Sequence, residues 1–157
     1  MSLALTFYSV VVGLHVVAAV SFLGAAGAFS VIGPMMRDNP QHAPFGLRVM
    51  KRVYEVAILP GAAIILATGI YQTIEGGWDE AAWLGVSAGL FVVQLFTGLA
   101  VVYPAIKTAI AELDKKGDTP GPPSETFMNS VKKLRTLGPM MGISMIIITF
   151  LMVTKPF

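Results

Sequence analysis

The sequence predicts an all-α fold, a four-helix transmembrane bundle formed by a single membrane domain over residues 1–157. Hydrophobic residues make up 55% of the chain and charged residues only 13%, whereas charged residues are about a quarter of a typical soluble domain. The mean hydropathy is +0.72. A chain this apolar would expose large apolar patches in water, so the composition excludes a soluble enzyme and a nucleic-acid-binding module.

Four segments of the chain contain no Asp, Glu, Lys or Arg: residues 3–36, 56–74, 81–106 and 136–154. A helix needs about 20 apolar residues to cross the hydrocarbon core of a membrane, so each segment is long enough to cross once. The predicted helices cover residues of about 3–33, 53–74, 81–105 and 136–154.

The first helix is predicted to end near Pro34, because proline cannot continue a helix. Ala26-Gly27-Ala28 is similar to the cleavage site of a secretory signal peptide, but residues 1–14 carry no basic side chain. The apolar stretch before this site is also longer than a signal-peptide core. We therefore expect the segment to be retained as a membrane helix.

Lys and Arg residues predict the orientation of the helices, because basic loops face the cytoplasm. Ten of them lie in the first and third loops, whereas one, Lys155, lies at the C-terminus. The second loop instead carries Glu75, Asp79 and Glu80. We expect the N-terminus and the C-terminus on the outer side of a multi-pass protein in the cell inner (plasma) membrane.

The second helix is predicted to begin in a cluster of charged residues. Arg48 and Arg52 are four residues apart, and so are Lys51 and Glu55, so each pair shares one side of a helix. Lys51 and Glu55 are predicted to form an ordinary ion pair, whereas the two arginines could hold a haem propionate or a phospholipid headgroup. Pro60 is expected to kink the helix, which is either structural or makes room for a ligand.

His15 is the most informative polar residue, because polar groups inside a membrane are costly. It lies near the predicted bilayer centre, and Tyr8, Ala19 and Phe22 share its helix face, so it is expected to point at another helix. Gln94 reaches a similar depth in the third helix. One hydrogen bond between His15 and Gln94 would explain both residues; alternatively, His15 ligates haem iron or another metal ion, or relays protons.

The fourth helix carries four methionines: Met140, Met141, Met145 and Met152. Methionine often only fills membrane cores, but its thioether also ligates haem iron and Cu(I). Met145 lies near mid-membrane and is therefore a candidate ligand. The chain contains no cysteine, so thiolate sites are excluded.

Two parts of the chain resemble the CopD-like and HemJ-like membrane proteins. Their first helix, in which a histidine precedes an aromatic and glycine-rich turn, is similar to LHVV at residues 14–17 followed by FLG at 22–24. The entry to their second helix, a basic and tyrosine-containing run before a proline, is similar to MKRVY at 50–54 followed by ILPG at 58–61.

The resemblance implies a b-type haem with His15 as the iron ligand, and with Arg48, Arg52 and Tyr54 near the cofactor. The HemJ-type proteins oxidise a porphyrinogen, and their third helix carries a histidine and a lysine just after its tryptophan. Here Trp83 is followed by LGVS. The resemblance therefore does not extend to the residues of that activity, and no enzymatic activity is assigned from the sequence.

The leading hypothesis is a haem-associated membrane protein, an electron-transfer or accessory subunit of a membrane redox complex. His15 would be the proximal ligand, the second ligand would be Met145, a partner's residue, water or none, and Gln94 would contact the cofactor. The alternatives are a cofactor-free structural subunit and a small metal or solute transporter that uses the kink at Pro60. We expect membrane lipids, and a membrane-protein partner or a second copy of the chain, as partners.

Overall fold

The computed structural model of the protein describes residues 6–77, 80–117 and 121–156. In these ranges the regular structure is entirely helical, which confirms the predicted all-α class. The α-helices are α1 (Phe7–Asp38), α2 (Ala43–Val53), α3 (Leu59–Gly76), α4 (Ala82–Thr97), α5 (Tyr103–Lys116) and α6 (Glu125–Thr154). A 3-10 turn at Pro40–His42 joins α1 to α2. π-helical turns at Tyr54–Ile58 and Gly98–Val102 join α2 to α3 and α4 to α5.

In the described part of the chain, four continuous helical spans are long and apolar enough to cross a membrane: Phe7–Asp38, Pro40–Gly76, Ala82–Lys116 and Glu125–Thr154. Their outer surfaces are apolar; for example, Val17, Val20 and Ile146 are 63%, 64% and 67% exposed. Lipid tails provide the apolar surroundings that such a surface requires. The predicted four-helix membrane architecture is confirmed.

The helices extend beyond their predicted ends, and mainly at one end of the bundle. α1 continues through Pro34 to Asp38, α5 reaches Lys116, and α2 and α6 begin about ten residues before the positions predicted for the second and fourth helices. Pro34 does not end α1, because membrane helices tolerate an internal proline. A boundary placed beside the charged residues makes the other helices too short, because charged turns can continue a helix into the headgroup layer. We call this the basic end, and it holds Arg48, Arg52, Lys107, Lys132 and Lys133.

Each π-helical turn stands just before a proline. The backbone N–H of Leu59 donates to the carbonyl of Tyr54, five residues earlier, and Pro60 follows. A proline has no N–H to donate, and its ring crowds the carbonyl four residues before it. The wider turn relieves this crowding. The third span uses the same solution, with Pro104 after the turn at Gly98–Val102.

Packing between the spans is closest along α1 and α3 and along α6 with α4 and α5. α2 packs against α5, whereas α3 and α4 make at most marginal contact. The second and third spans therefore join mainly in the half of the bundle that contains the basic end. Phe22 and Phe91, whose ring centroids are 6.2 Å apart, belong to the buried core together with Met145 and Ile148.

Gly98 marks a close approach between the second and third spans. A Cβ atom at Gly98 would lie 2.6 Å from the hydroxyl oxygen of Tyr54, which is only 3% exposed. The ring therefore has little room to move. We expect Gly98→Ala to lower the free energy of unfolding by about 1–3 kcal/mol, as overpacking does, measured by reversible unfolding in mixed micelles.

Gly89→Ala is the matched control, because no heavy atom lies within 4 Å of a Cβ at that position in the same span. Its effect should stay within about 0.5 kcal/mol. Combining Gly98→Ala with Tyr54→Phe, which removes the crowding hydroxyl, should recover part of the loss. Equal effects of the two glycine substitutions would show that the close approach is absent.

Candidate functional site

His15 projects from α1 toward α3, as expected for a polar residue that avoids lipid. Its Nδ1 atom lies 2.8 Å from the hydroxyl oxygen of Thr68. Thr68 is only 8% exposed. A Cβ atom at Gly69 would lie 3.4 Å from Cε1 of His15. The glycine therefore leaves the space in which the imidazole lies against α3.

The Thr68 hydroxyl has one proton, and this proton determines the role of each imidazole nitrogen. The hydroxyl lies 2.5 Å from the carbonyl oxygen of Ile64 and donates to it, as a helical threonine commonly does one turn back. Its oxygen is therefore expected to accept from Nδ1 of His15, an arrangement that places the ring proton on Nδ1. In the neutral ring the lone pair then lies on Nε2, which is the nitrogen that can ligate a metal ion in this tautomer.

The spacing of large and small residues explains why α1 and α3 meet in this way. His15 and Phe22 are seven residues apart on α1, and Gly61 and Thr68 are seven residues apart on α3. Because the two helices are antiparallel, Phe22 packs over Gly61, where a Cβ atom would lie 3.7 Å from the Phe22 ring. His15 then meets Thr68 two turns farther from the basic end.

Gln94 does not pair with His15. Its side-chain amide nitrogen donates to the carbonyl oxygen of Met141 in α6 at 2.9 Å, and the residue is 6% exposed. The interpretation that one hydrogen bond joins His15 and Gln94 is therefore wrong. The two polar residues instead tie together two different pairs of helices, α1 with α3 and α4 with α6.

Met145 lies closer to the basic end than His15. The hydrogen bond from Gln94 to Met141 sets the register of α4 and α6. Phe91 and Met145 each lie about one turn farther from the basic end than these two residues, so they are at the same depth in the bundle. The ring contact between Phe91 and Phe22 places Phe22 at this level too. His15 is seven residues beyond Phe22, about 10 Å along α1.

By the same register, Met152 is the α6 methionine at the level of His15. It is seven residues beyond Met145 in the direction away from the basic end. Met152 is partly buried and packs against the core, whereas Met145 is 5% exposed and belongs to the core itself. Met145 and His15, which the sequence predicts as ligands of one cofactor, therefore lie at different depths in the bundle.

Arg48 and Arg52 lie at the basic end. Arg48 forms an ion pair with Asp114 at 2.5 Å, in which both side chains are more than half exposed, and Arg52 is exposed. Thr68, the partner of His15, is 20 and 16 residues farther along the same span. These separations correspond to about 30 and 24 Å of helix.

Tyr54 belongs to a polar cluster at the first π-helical turn. Its ring stacks on the ring of Tyr103, with centroids 5.0 Å apart and planes at 17°. The hydroxyl of Tyr103 donates to Oε1 of Glu55 at 2.7 Å. Lys51 pairs with the same carboxylate oxygen at 3.3 Å, which confirms the predicted ion pair.

The residues predicted from the sequence as one site lie at three depths. His15 is farthest from the basic end, Gln94 and Met145 are in the middle, and Tyr54, Arg52 and Arg48 follow toward the basic end. Sequence reasoning misses Thr68, although its spacing from Gly61 matches that of His15 from Phe22. It also misses Tyr103, whose role depends on the packing of two spans and has no local signal.

Within residues 6–77, 80–117 and 121–156, no three His, Asp or Glu side chains are grouped so that they could hold a metal ion.

The four long apolar spans define the class of the chain, which is an integral membrane protein whose bundle contains His15. The model of a family described as predicted integral membrane protein, DUF2269, matches residues 9–156, and the chain belongs to this family. No curated protein and no solved structure matches the chain. The resemblance to the CopD-like and HemJ-like proteins stays a prediction, because the family match does not include that relationship.

Proposed function

We propose that this protein is a haem-associated membrane protein in which His15 ligates the iron of a b-type haem through Nε2. Its role would be electron transfer, as a subunit or accessory protein of a membrane redox complex. The supporting observation is the hydrogen bond between Nδ1 of His15 and Thr68. Metal-ligating histidines commonly donate their other ring N–H to a polar partner, which fixes the ring and its tautomer.

The proposal assigns one axial position of the haem to this chain. His15 presents an oriented neutral imidazole, and bound haem iron would supply one-electron chemistry. If the chain also supplies the second ligand, Met152 fits better than Met145, because only Met152 is at the depth of His15. Gln94 is bonded to α6 and is left out of the proposed ligand set.

Arg48 and Arg52 do not fit the propionates of a haem held by His15. Arg48 and Arg52 are separated from Thr68 by about 30 Å and 24 Å of helix, respectively. Both distances exceed the length of a carboxylate arm on a porphyrin ring. Arg48 is also paired with Asp114. The proposal therefore leaves both arginines, and Tyr54, outside the haem site.

The test is a reduced-minus-oxidised absorption spectrum of the detergent-purified protein from haem-replete cells. We expect haem bands in the natural protein and their loss in His15→Ala, because the axial ligand is gone. His42→Ala is the matched control: it removes the other histidine, which is exposed in the turn at Pro40–His42, and should keep the bands. Met152→Leu should shift the bands if its thioether is the second ligand.

Full haem retention by folded His15→Ala would overturn the assignment of the ligand. A colourless, folded natural protein would overturn the proposal as a whole.

The same result would favour a second candidate, a cofactor-free structural subunit. The observation behind this candidate is that the His15–Thr68 bond joins α1 to α3 without any cofactor, and such bonds contribute about 1 kcal/mol in membranes. A structural subunit should co-purify with larger membrane proteins.

We also propose that the basic end faces the cytoplasm and that the membrane is the inner, or plasma, membrane. The excess of Lys and Arg in the first and third loops supports this orientation. The chain has no cysteine, so single cysteines report topology cleanly. A membrane-impermeant maleimide should label Glu80→Cys on spheroplasts, and Gln41→Cys only after lysis. The reverse pattern would contradict the orientation.

A further inference from the structure

A groove of about 310 Å³ lies between the third and fourth spans in the half of the bundle near the basic end. One wall is made by the second π-helical turn and the start of α5, including Ala100 and Pro104. The facing wall is polar and comes from α6, with Thr126, Asn129 and Lys133. The wall from the third span is therefore uncharged and mostly apolar, with Thr108 as its one polar residue, whereas the wall from α6 carries an ammonium and an amide.

The third span contributes no long side chain to the groove, because its lining residues are alanines, a proline, a valine and a threonine. Ala100 has only a methyl group, and the ring of Pro104 folds back on its own backbone. Ser130 on the facing wall uses its hydroxyl to donate to the carbonyl of Thr126. Among the described contacts, Asn129 and Lys133 have no hydrogen bond or ion pair, so their polar groups are available to a ligand.

The groove continues along α6 toward the interior of the membrane. A neighbouring cleft of about 460 Å³ shares Asn129 and Lys133 and extends to Thr136 and Leu137. Beyond it, α6 has no charged residue up to residue 154, and Met140 is 61% exposed on its surface. Lys133 therefore lies within one turn of the end of the charged part of α6, which is the level of phospholipid headgroups.

We propose that this groove binds an anionic glycerophospholipid. The phosphate lies on the ammonium of Lys133 and the amide of Asn129, the rest of the headgroup lies between Thr126 and Pro104, and an acyl chain follows α6 past Leu137. Charge complementarity favours this occupant, because Lys132 stands beside Lys133 at the mouth and the described lining contains no carboxylate. Basic pockets between membrane helices are typical sites for anionic headgroups.

Native mass spectrometry of the detergent-released protein tests the proposal. Phosphatidylglycerol and phosphatidylcholine with the same acyl chains are titrated separately, and the lipid-bound fraction is measured. We expect phosphatidylglycerol to bind more tightly, and Lys133→Gln to weaken its binding about fivefold. Arg135→Gln is the matched control, because it removes the same charge from the same helix but does not line either cleft, and it should leave the affinity nearly unchanged.

Ala100→Leu gives a test that does not depend on charge. Its larger side chain should fill the groove and weaken phosphatidylglycerol binding, and it replaces Lys133→Gln if that variant does not fold. Millimolar inorganic phosphate should not displace the lipid; displacement would assign the site to a free anion instead. Equal binding of the two lipids, or equal losses in Lys133→Gln and Arg135→Gln, would overturn the proposal in favour of unspecific attraction at a basic surface.

Discussion

Lipid tails offer no hydrogen-bond partner, and this constraint organises the polar side chains of the protein. Thr73, Ser87 and Thr149 each donate to the carbonyl four residues earlier in their own helix. His15 and Gln94 instead bond across helices. These two bonds set the register of α1 on α3 and of α4 on α6, and so determine which residues share a depth.

The fold could be predicted from the sequence because the membrane requires long charge-free segments, and such segments are visible without any knowledge of packing. The helix ends could not, because α2 and α6 carry their charged residues within regular helix. The partner of His15 could not be predicted from helical spacing alone. Spacing shows that His15 and Gln94 are both deep in the membrane, but the register between spans decides that Thr68 is the residue opposite His15.

Register also explains why the residues at the two extremes of the predicted site lie in surroundings with different chemistry. The region around His15 is nearly free of charge and presents one oriented imidazole nitrogen. The region near the basic end contains the tyrosine pair, its carboxylate and the cations, and two π-helical turns widen the spans there. The proposed haem would lie in the first region, and the proposed lipid would bind near the second.

The hydrogen bond to Thr68 is expected to hold His15 as the Nδ1–H tautomer with no proton on Nε2. ¹⁵N NMR of histidine-labelled protein, prepared without haem in lipid nanodiscs, measures this directly, and His42→Ala leaves His15 as the single histidine. We expect a proton-bearing Nδ1 and a bare Nε2, with the preference for this tautomer lost in Thr68→Val. A proton on Nε2 in the natural protein would contradict this tautomer, because Thr68 would then be the donor and the ligating nitrogen would be blocked.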